Sequence, residues 1–226
     1  MEMLIDFVNL IEKNVEVEIS GGIFHKGTLI DSGLDIVVIY VGKTNSFLYI
    51  PFVHIQRLRE LPKWDEDMTY DTPSEKPIEA EAISYRKILM NAKGLFVKVY
   101  MSDNQSFHGY VSSIMNDYFV FYSPVHKTMF ISMNHVKWMI PYPPDTTPYA
   151  LENEKLQLTP PPTSLARSFE EQLKRLENQL VILDGRDNPE KIGLLQKVCN
   201  NKVILVTAEG EIVYRNLEHV KSIQLP

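Results

Sequence analysis

Two marks recur along this chain of 226 residues on a common beat. His54 in "PFVHIQRL", His135 in "SMNHVKWM" and His219 in "NLEHVKSI" lie 81 and 84 residues apart. Gly27 in "FHKGTLIDSGLD", Gly109 in "FHGYVSSIMND" and Gly193 in "EKIGLLQKVCNN" lie 82 and 84 apart, so the Gly-to-His distances are 27, 26 and 26. Two residue types held in register across three copies define an internal repeat. The repeat sets the size of the folding unit before any local reading.

Proline draws the boundaries. Ten of the fourteen prolines fall in 61–82 and 141–167. The first stretch is acidic as well as Pro-containing, the second is strongly Pro-rich, and both lack periodic apolar residues, so they read as extended linkers. "PYPPDTTP" and "TPPPTS" also fit ligands of a polyproline-binding domain, but no basic residue flanks them and the spacer reading is favoured. Three repeats remain, 1–60, 83–140 and 168–226.

Each repeat has one grammar. An amphipathic helix is expected at "MLIDFVNLIEKN", "ISYRKILMNAKG" and "SFEEQLKRLENQ", the third opened by a capping box of Ser168 and Glu171. Five short strands come next: an alternating one ("VEVEI", "LFVKVYM", "QLVIL"), one carrying the repeated Gly, and a strongly apolar one ("IVVIYV", "YFVFY", "KVILV"). A fourth ("SFLYIP", "TMFISM", "EIVYRN") runs to the His turn, and a short fifth ("IQRLRE", "VKWMIP", "VKSIQL") closes the unit. This order predicts a mainly β chain of three tandem Sm-like (SH3-like) five-stranded barrels, each preceded by a short helix. Gly27, Gly109 and Gly193 then sit where the second strand must bend, with close approach to a ligand as the lesser alternative. His54, His135 and His219 sit in a tight turn between the fourth and fifth strands. They either lock that turn through backbone hydrogen bonds or form contacts at a shared interface. No His pairs with another at metal-ligand spacing, and Cys199 is the one cysteine, so neither a metal site nor an internal disulfide is expected. Cys199 fits a reducing compartment or a buried small apolar side chain.

The third repeat, "QLVILDGRDNPEKIGLLQKVCNNKVILVTAEGEIVYRNLEHVKSI", resembles the repeat of the bacillus outer spore coat protein B family. That family is built on a Gly-Gly-Pro-Glu turn, a lone strand Gly and a Leu-Glu-His-Val-Lys-Ser-Ile ending. The resemblance extends to all three repeats and is weakest in the second, where the turn reads "SDNQSFHG". The Gly pair survives as Gly21-Gly22 and the Pro-Glu pair as Pro189-Glu190. The Ser-, Lys- and Arg-rich C-terminal tail of the family pattern has no counterpart after "IQLP". The resemblance implies a structural component of the endospore coat, made in the mother-cell cytoplasm and deposited on the forespore. Small, partly open barrels leave strand edges that recruit neighbouring edges, so other coat proteins and further copies of the chain are the expected partners, and no cofactor is expected.

The competing class is nucleic-acid binding, since Sm-like barrels are best known as RNA binders. A net charge of −6 opposes it, because phosphate contacts need a basic surface. The charge is uneven, however. The middle repeat carries two acidic and six basic residues, Arg86, Lys87, Lys93, Lys98, Lys127 and Lys137, interleaved with eleven aromatics. Such a module could stack bases or dock on an acidic partner, while many of those aromatics fall where a core needs them. Enzyme readings are weaker. "SYRK" matches S-x-x-K and "SDN" a second penicillin-binding motif, but no K-T-G is found after them, and Ser84 reads as a helix cap. Phosphate-binding Gly loops, G-x-S-x-G and H-E-x-x-H do not occur. Asn104-Gln105-Ser106 matches a glycosylation acceptor, but nothing routes the chain to a secretory lumen. No catalysis is expected. With no apolar run near the ~20 residues of a membrane span and no secretory signal at "MEMLIDFVNLIEKN", neither a membrane segment nor a signal peptide is expected.

Overall fold

Short alternating or wholly apolar runs bounded by polar turns become short strands, and the structure is mainly β with few and brief helices. The computed structural model describes residues 7–62, 73, 75–80, 82–101, 105–143, 146, 148–150, 164–185 and 188–226. Much of both linkers, the "SDN" motif and the first six residues lie outside the described residues.

In the first repeat, β1 (Asn14–Ile19), β2 (Ile23–Ser32), β3 (Ile36–Val41), β4 (Ser46–Pro51) and β5 (Ile55–Glu60) come after a 3-10 turn at Phe7–Leu10. The expected amphipathic helix is, in its described part, only that turn. Val8 and Asn9 are weak helix formers, and Glu12 adopts a left-handed φ of 66° that delivers the chain into β1. In the second repeat α1 (Tyr85–Asn91) precedes β6 (Phe96–Met101), β7 (Ser106–Ile114), β8 (Tyr118–Ser123), β9 (Lys127–Ser132) and β10 (Val136–Pro141). In the third, α2 (Phe169–Lys174) precedes β11 (Leu180–Leu183), β12 (Ile192–Cys199), β13 (Lys202–Val206), β14 (Ile212–Asn216) and β15 (Ser222–Gln224). Both α-helices are capped by serine: Ser84 Oγ accepts from Lys87 N at 3.3 Å, and Ser168 Oγ from Glu171 N at 3.4 Å.

The chain divides into two units, and the division runs through the middle repeat. The first unit comprises Met1–Phe107 and Val136–Thr146, the second His108–His135 and Thr147–Pro226. Within the first, the strand order is β6-β10-β4-β3-β2-β1-β5; within the second it is β14-β13-β12-β11-β15-β9-β8-β7. The strand pairings in both are antiparallel. The sheet does not close on itself in either unit, which departs from the expected three five-stranded barrels. The physical reason is where the fourth strand finds its partner. Rather than returning to the fifth strand of its own repeat, β4 pairs with β10 (Tyr49 opposite Met139). In the same way β9 pairs with β15, with Phe130 opposite Ile223.

The repeated Gly sits at the same place in β2, β7 and β12. A Cβ there would lie 2.4 Å from Tyr40 O at Gly27, 2.0 Å from Tyr122 O at Gly109 and 2.4 Å from Val206 O at Gly193. The backbone of the next strand thus occupies the space a side chain would need. Two residues on, each strand shifts register against that neighbour, between Leu29/Asp31, Val111/Ser113 and Leu195/Lys197. One residue is inserted each time, and such a bulge bends the strand and steepens its twist.

Each unit has its own core. In the first, Val15, Val17 and Ile19 of β1 pack with Leu29, Ile39 and Trp138. In the second, Phe169 and Leu173 of α2 pack with Tyr118, Phe130, Leu195 and Leu205. Full burial of such a side chain stabilises by roughly 1.5–3 kcal/mol. β3 and β8 are apolar along nearly their whole length and buried on both faces.

Candidate interaction surfaces

The surfaces on which one repeat meets the next are built from three recurring elements. First is the strand pairing itself. Counted from the repeated His, Tyr49 and Phe130 lie five positions before it, and their partners Met139 and Ile223 lie four positions after the His of the following repeat. Both aromatics are sealed, at 1% and 0% exposure. A second element is the turn between the second and third strands. Asp35 Oδ1 accepts from Tyr85 N at 2.7 Å in the first unit, and Asp117 Oδ1 accepts from Phe169 N at 2.8 Å in the second. Each carboxylate therefore caps the helix that opens the following repeat, where free N–H groups and the helix dipole favour an anion.

The His turn is the third element, and its three copies differ. Each His ends a 3-10 turn, Phe52–His54, Met133–His135 or Leu217–His219. His54 is buried, with Nδ1 3.3 Å from Ser20 Oγ, and its carbonyl accepts from Ser20 N at 2.9 Å. His135 Nε2 lies 2.8 Å from the carbonyl oxygen of Glu218. A carbonyl only accepts, so this nitrogen carries the proton and donates from the second repeat to the third. Burial pushes the His135 imidazole below its ordinary pKa. His219 is exposed. The cleft beside the His135 turn, about 430 Å³, is lined by Asp117, Ser132, Phe169, Asn201 and Glu218.

The third fourth-strand, β14, has the same grammar and a different fate. Tyr214, five positions before His219, is 65% exposed, and Ile212 is 53% exposed. Among the described residues no strand pairs with the outer side of β14, and none with the outer side of β5. On β5, Arg57 and Arg59 stand opposite Glu18 and Glu16 of β1. They pair with them at 3.1 and 2.8 Å. The Arg59 hydrogen bond holds the Glu16 carboxyl below the usual carboxylate range. These charges are paired with carboxylates of the inner neighbour.

The basic residues of the middle repeat divide between the units. Arg86, Lys87, Lys93, Lys98 and Lys137 belong to the first, Lys127 to the second. Lys137 is only 6% exposed and its Nζ donates to the Ser20 carbonyl at 2.7 Å. Lys98 Nζ lies 4.5 Å from the Tyr100 ring centroid, and Lys127 Nζ donates to the Pro124 carbonyl at 3.1 Å. Lys87 and Lys93 are exposed. Among the described residues no group of three His, Cys, Asp or Glu could hold a metal ion, and no helix is long and apolar enough to cross a membrane. Sequence reading missed Asp35 and Asp117; both stand in the polar turns "SGLD" and "MND" at matching positions, which was the available signal.

A protein of Bacillus subtilis (strain 168), the uncharacterized protein YwrJ, is 44% identical over 230 residues, covering 100% of this chain and 100% of the relative. The chain belongs to the YwrJ family. A family model describing the YwrJ third domain matches residues 168–223, from the cap of α2 to Ile223 of β15. The YwrJ match thus takes in the exposed β14 and the His219 turn together.

Proposed function

We propose that the chain is a structural interaction protein, a component of the bacterial endospore coat, made of three Sm-like modules and acting through module–module and strand-edge contacts. The observation that carries this reading is the strand pairing between repeats, β4 with β10 and β9 with β15. A chain whose repeats join edge to edge offers the same kind of edge to neighbours, and unpaired strand edges recruit further strands. The resemblance of "NLEHVKSI" and its surroundings to the coat protein B repeat supplies the location, with synthesis in the mother-cell cytoplasm and deposition in the coat. Other coat proteins and further copies of the chain are the proposed partners; no catalysis and no cofactor are proposed.

The alternative, an Sm-like nucleic-acid binder using the middle repeat, has less to work with. Lys137 is engaged with a backbone carbonyl inside the first unit, which removes one of the six cations from a phosphate-facing surface. Fractionation of sporulating cells carrying a tagged copy decides between them. Recovery on the spore surface supports the coat reading. A tagged copy that stays in the mother-cell cytoplasm and co-purifies with RNA overturns it.

A further inference from the structure

We infer that β14 of one copy pairs antiparallel with β5 of a second copy, with Tyr214 opposite Leu58. This rests on the reading of the chain as an interaction protein and gives that reading a partner and a register. Twice within the chain, the fourth strand of one repeat pairs with the fifth strand of the next. In both pairs an aromatic five positions before one His faces an apolar residue four positions after the following His. The third repeat has the aromatic, Tyr214, with no fifth strand beside it among the described residues. The first repeat has the apolar residue at the matching place, Leu58, on an edge with no fourth strand beside it among the described residues. The two edges are the complementary halves of one contact.

The charges in that register are tolerable. Arg215 would stand opposite Arg57, but Arg215 Nη2 lies 3.4 Å from Glu190 Oε2 and 3.0 Å from the Glu190 carbonyl. Arg57 Nε lies 3.1 Å from Glu18 Oε2. Each cation thus brings its own carboxylate. A second correspondence comes from the His turn. His135 donates to the carbonyl of Glu218, the residue before His219. The same step onward takes the exposed His219 to the carbonyl of Val53, the residue before His54, whose side chain is 67% exposed. The contact is heterologous, so it closes into a ring or propagates as an array.

The test is crosslinking plus sedimentation on the full chain. In a Cys199→Ser background, a Tyr214→Cys copy is mixed with a differently tagged Leu58→Cys copy and oxidised. Residues directly opposite in a sheet have Cβ atoms close enough for a disulfide, whereas neighbours on the strand point to the other face. The expected result is a mixed dimer joined at 214 and 58, little product with Arg59→Cys in place of Leu58→Cys, and loss of self-association in Tyr214→Asp. Stronger crosslinking at 59 than at 58 overturns the register. A wild-type chain that sediments as a monomer at all accessible concentrations overturns the pairing. Failure here and failure of the coat reading are separable. A monomeric chain recovered on spores refutes only this inference, and a crosslinked oligomer absent from spores refutes only the coat location.

Discussion

β9 and β14 are the same strand written twice, in the second repeat and the third, and they meet different surroundings. At the matching position Phe130 is 0% exposed and Tyr214 is 65% exposed. One residue further, Ile131 is sealed while Arg215 reaches Glu190. The difference does not arise from local propensity, since both strands pair with the strand before them in unbroken antiparallel register. It arises on the other side. β15 covers β9, and among the described residues nothing covers β14. A repeat of this kind is completed by its neighbour, and the third repeat, with none beside β14 among the described residues, shows what completion supplies.

The comparison can be broken most forcefully at the mark all copies share. Gly109→Val places a side chain 2.0 Å from the Tyr122 carbonyl, so the expected loss is above about 4 kcal/mol, read by denaturant unfolding of the second unit. Gly27→Ala and Gly193→Ala, at 2.4 Å, should cost less than this. A Gly109→Val variant as stable as the wild type would refute the close approach of β8 to β7. Next in size is the direct contrast. Phe130→Ala should cost about 3–5 kcal/mol, whereas Tyr214→Ala in dilute protein should stay within about 0.5 kcal/mol. Equal losses would mean that β14 is covered after all.

A third expectation uses another matched pair. His25 and Phe107 each precede the repeated Gly by two positions. Burial pushes the His25 imidazole down to about 4, it packs edge-on against Trp138 at 4.7 Å, and its Nε2 has no partner among the described residues. Below its ordinary pKa of about 6.5 the unfolded chain binds a proton that the folded chain refuses. Stability of the first unit is therefore fully present above pH ~6.5 and declines as pH falls toward ~4, by up to about 3 kcal/mol. His25→Phe, which copies the middle repeat, should flatten that dependence in urea unfolding monitored from pH 7 to pH 4. An unchanged slope would assign the loss to other groups. Smallest is the turn contrast. His135→Ala should cost about 0.5–1.5 kcal/mol through its bond to Glu218, while His219→Ala should leave the melting of the dilute chain unchanged.

The period of the marks made the repeats readable, and Ser84 and Ser168 announced their helices because an N-cap is a local device. The order of strands was readable for the same reason, as alternation and polar turns act over a few residues. Strand partners were not. Nothing in "SFLYIP" or "TMFISM" says whether the outer edge meets the fifth strand of its own repeat or of the next, since every fifth strand is short and keeps an apolar residue four positions after its His. Lys137 was misleading in the same way. Its residue type suggested surface, yet Ser20, more than a hundred residues earlier, supplies a carbonyl that satisfies its Nζ inside the first unit. The unequal use of His54, His135 and His219 was equally hidden, because it depends on the neighbour each repeat meets rather than on the repeat itself.

Amide hydrogen exchange at two protein concentrations tests most directly whether a neighbouring repeat is what completes each fourth strand. The expected result is strong protection of β4 and β9 amides at both concentrations, with the outward-facing amides of β14 and β5 exchanging fast in dilute protein and becoming protected together in concentrated protein. Slow exchange of the outward-facing β14 amides at the lowest concentration, or protection of the outward-facing β14 and β5 amides that does not change with concentration, would contradict it.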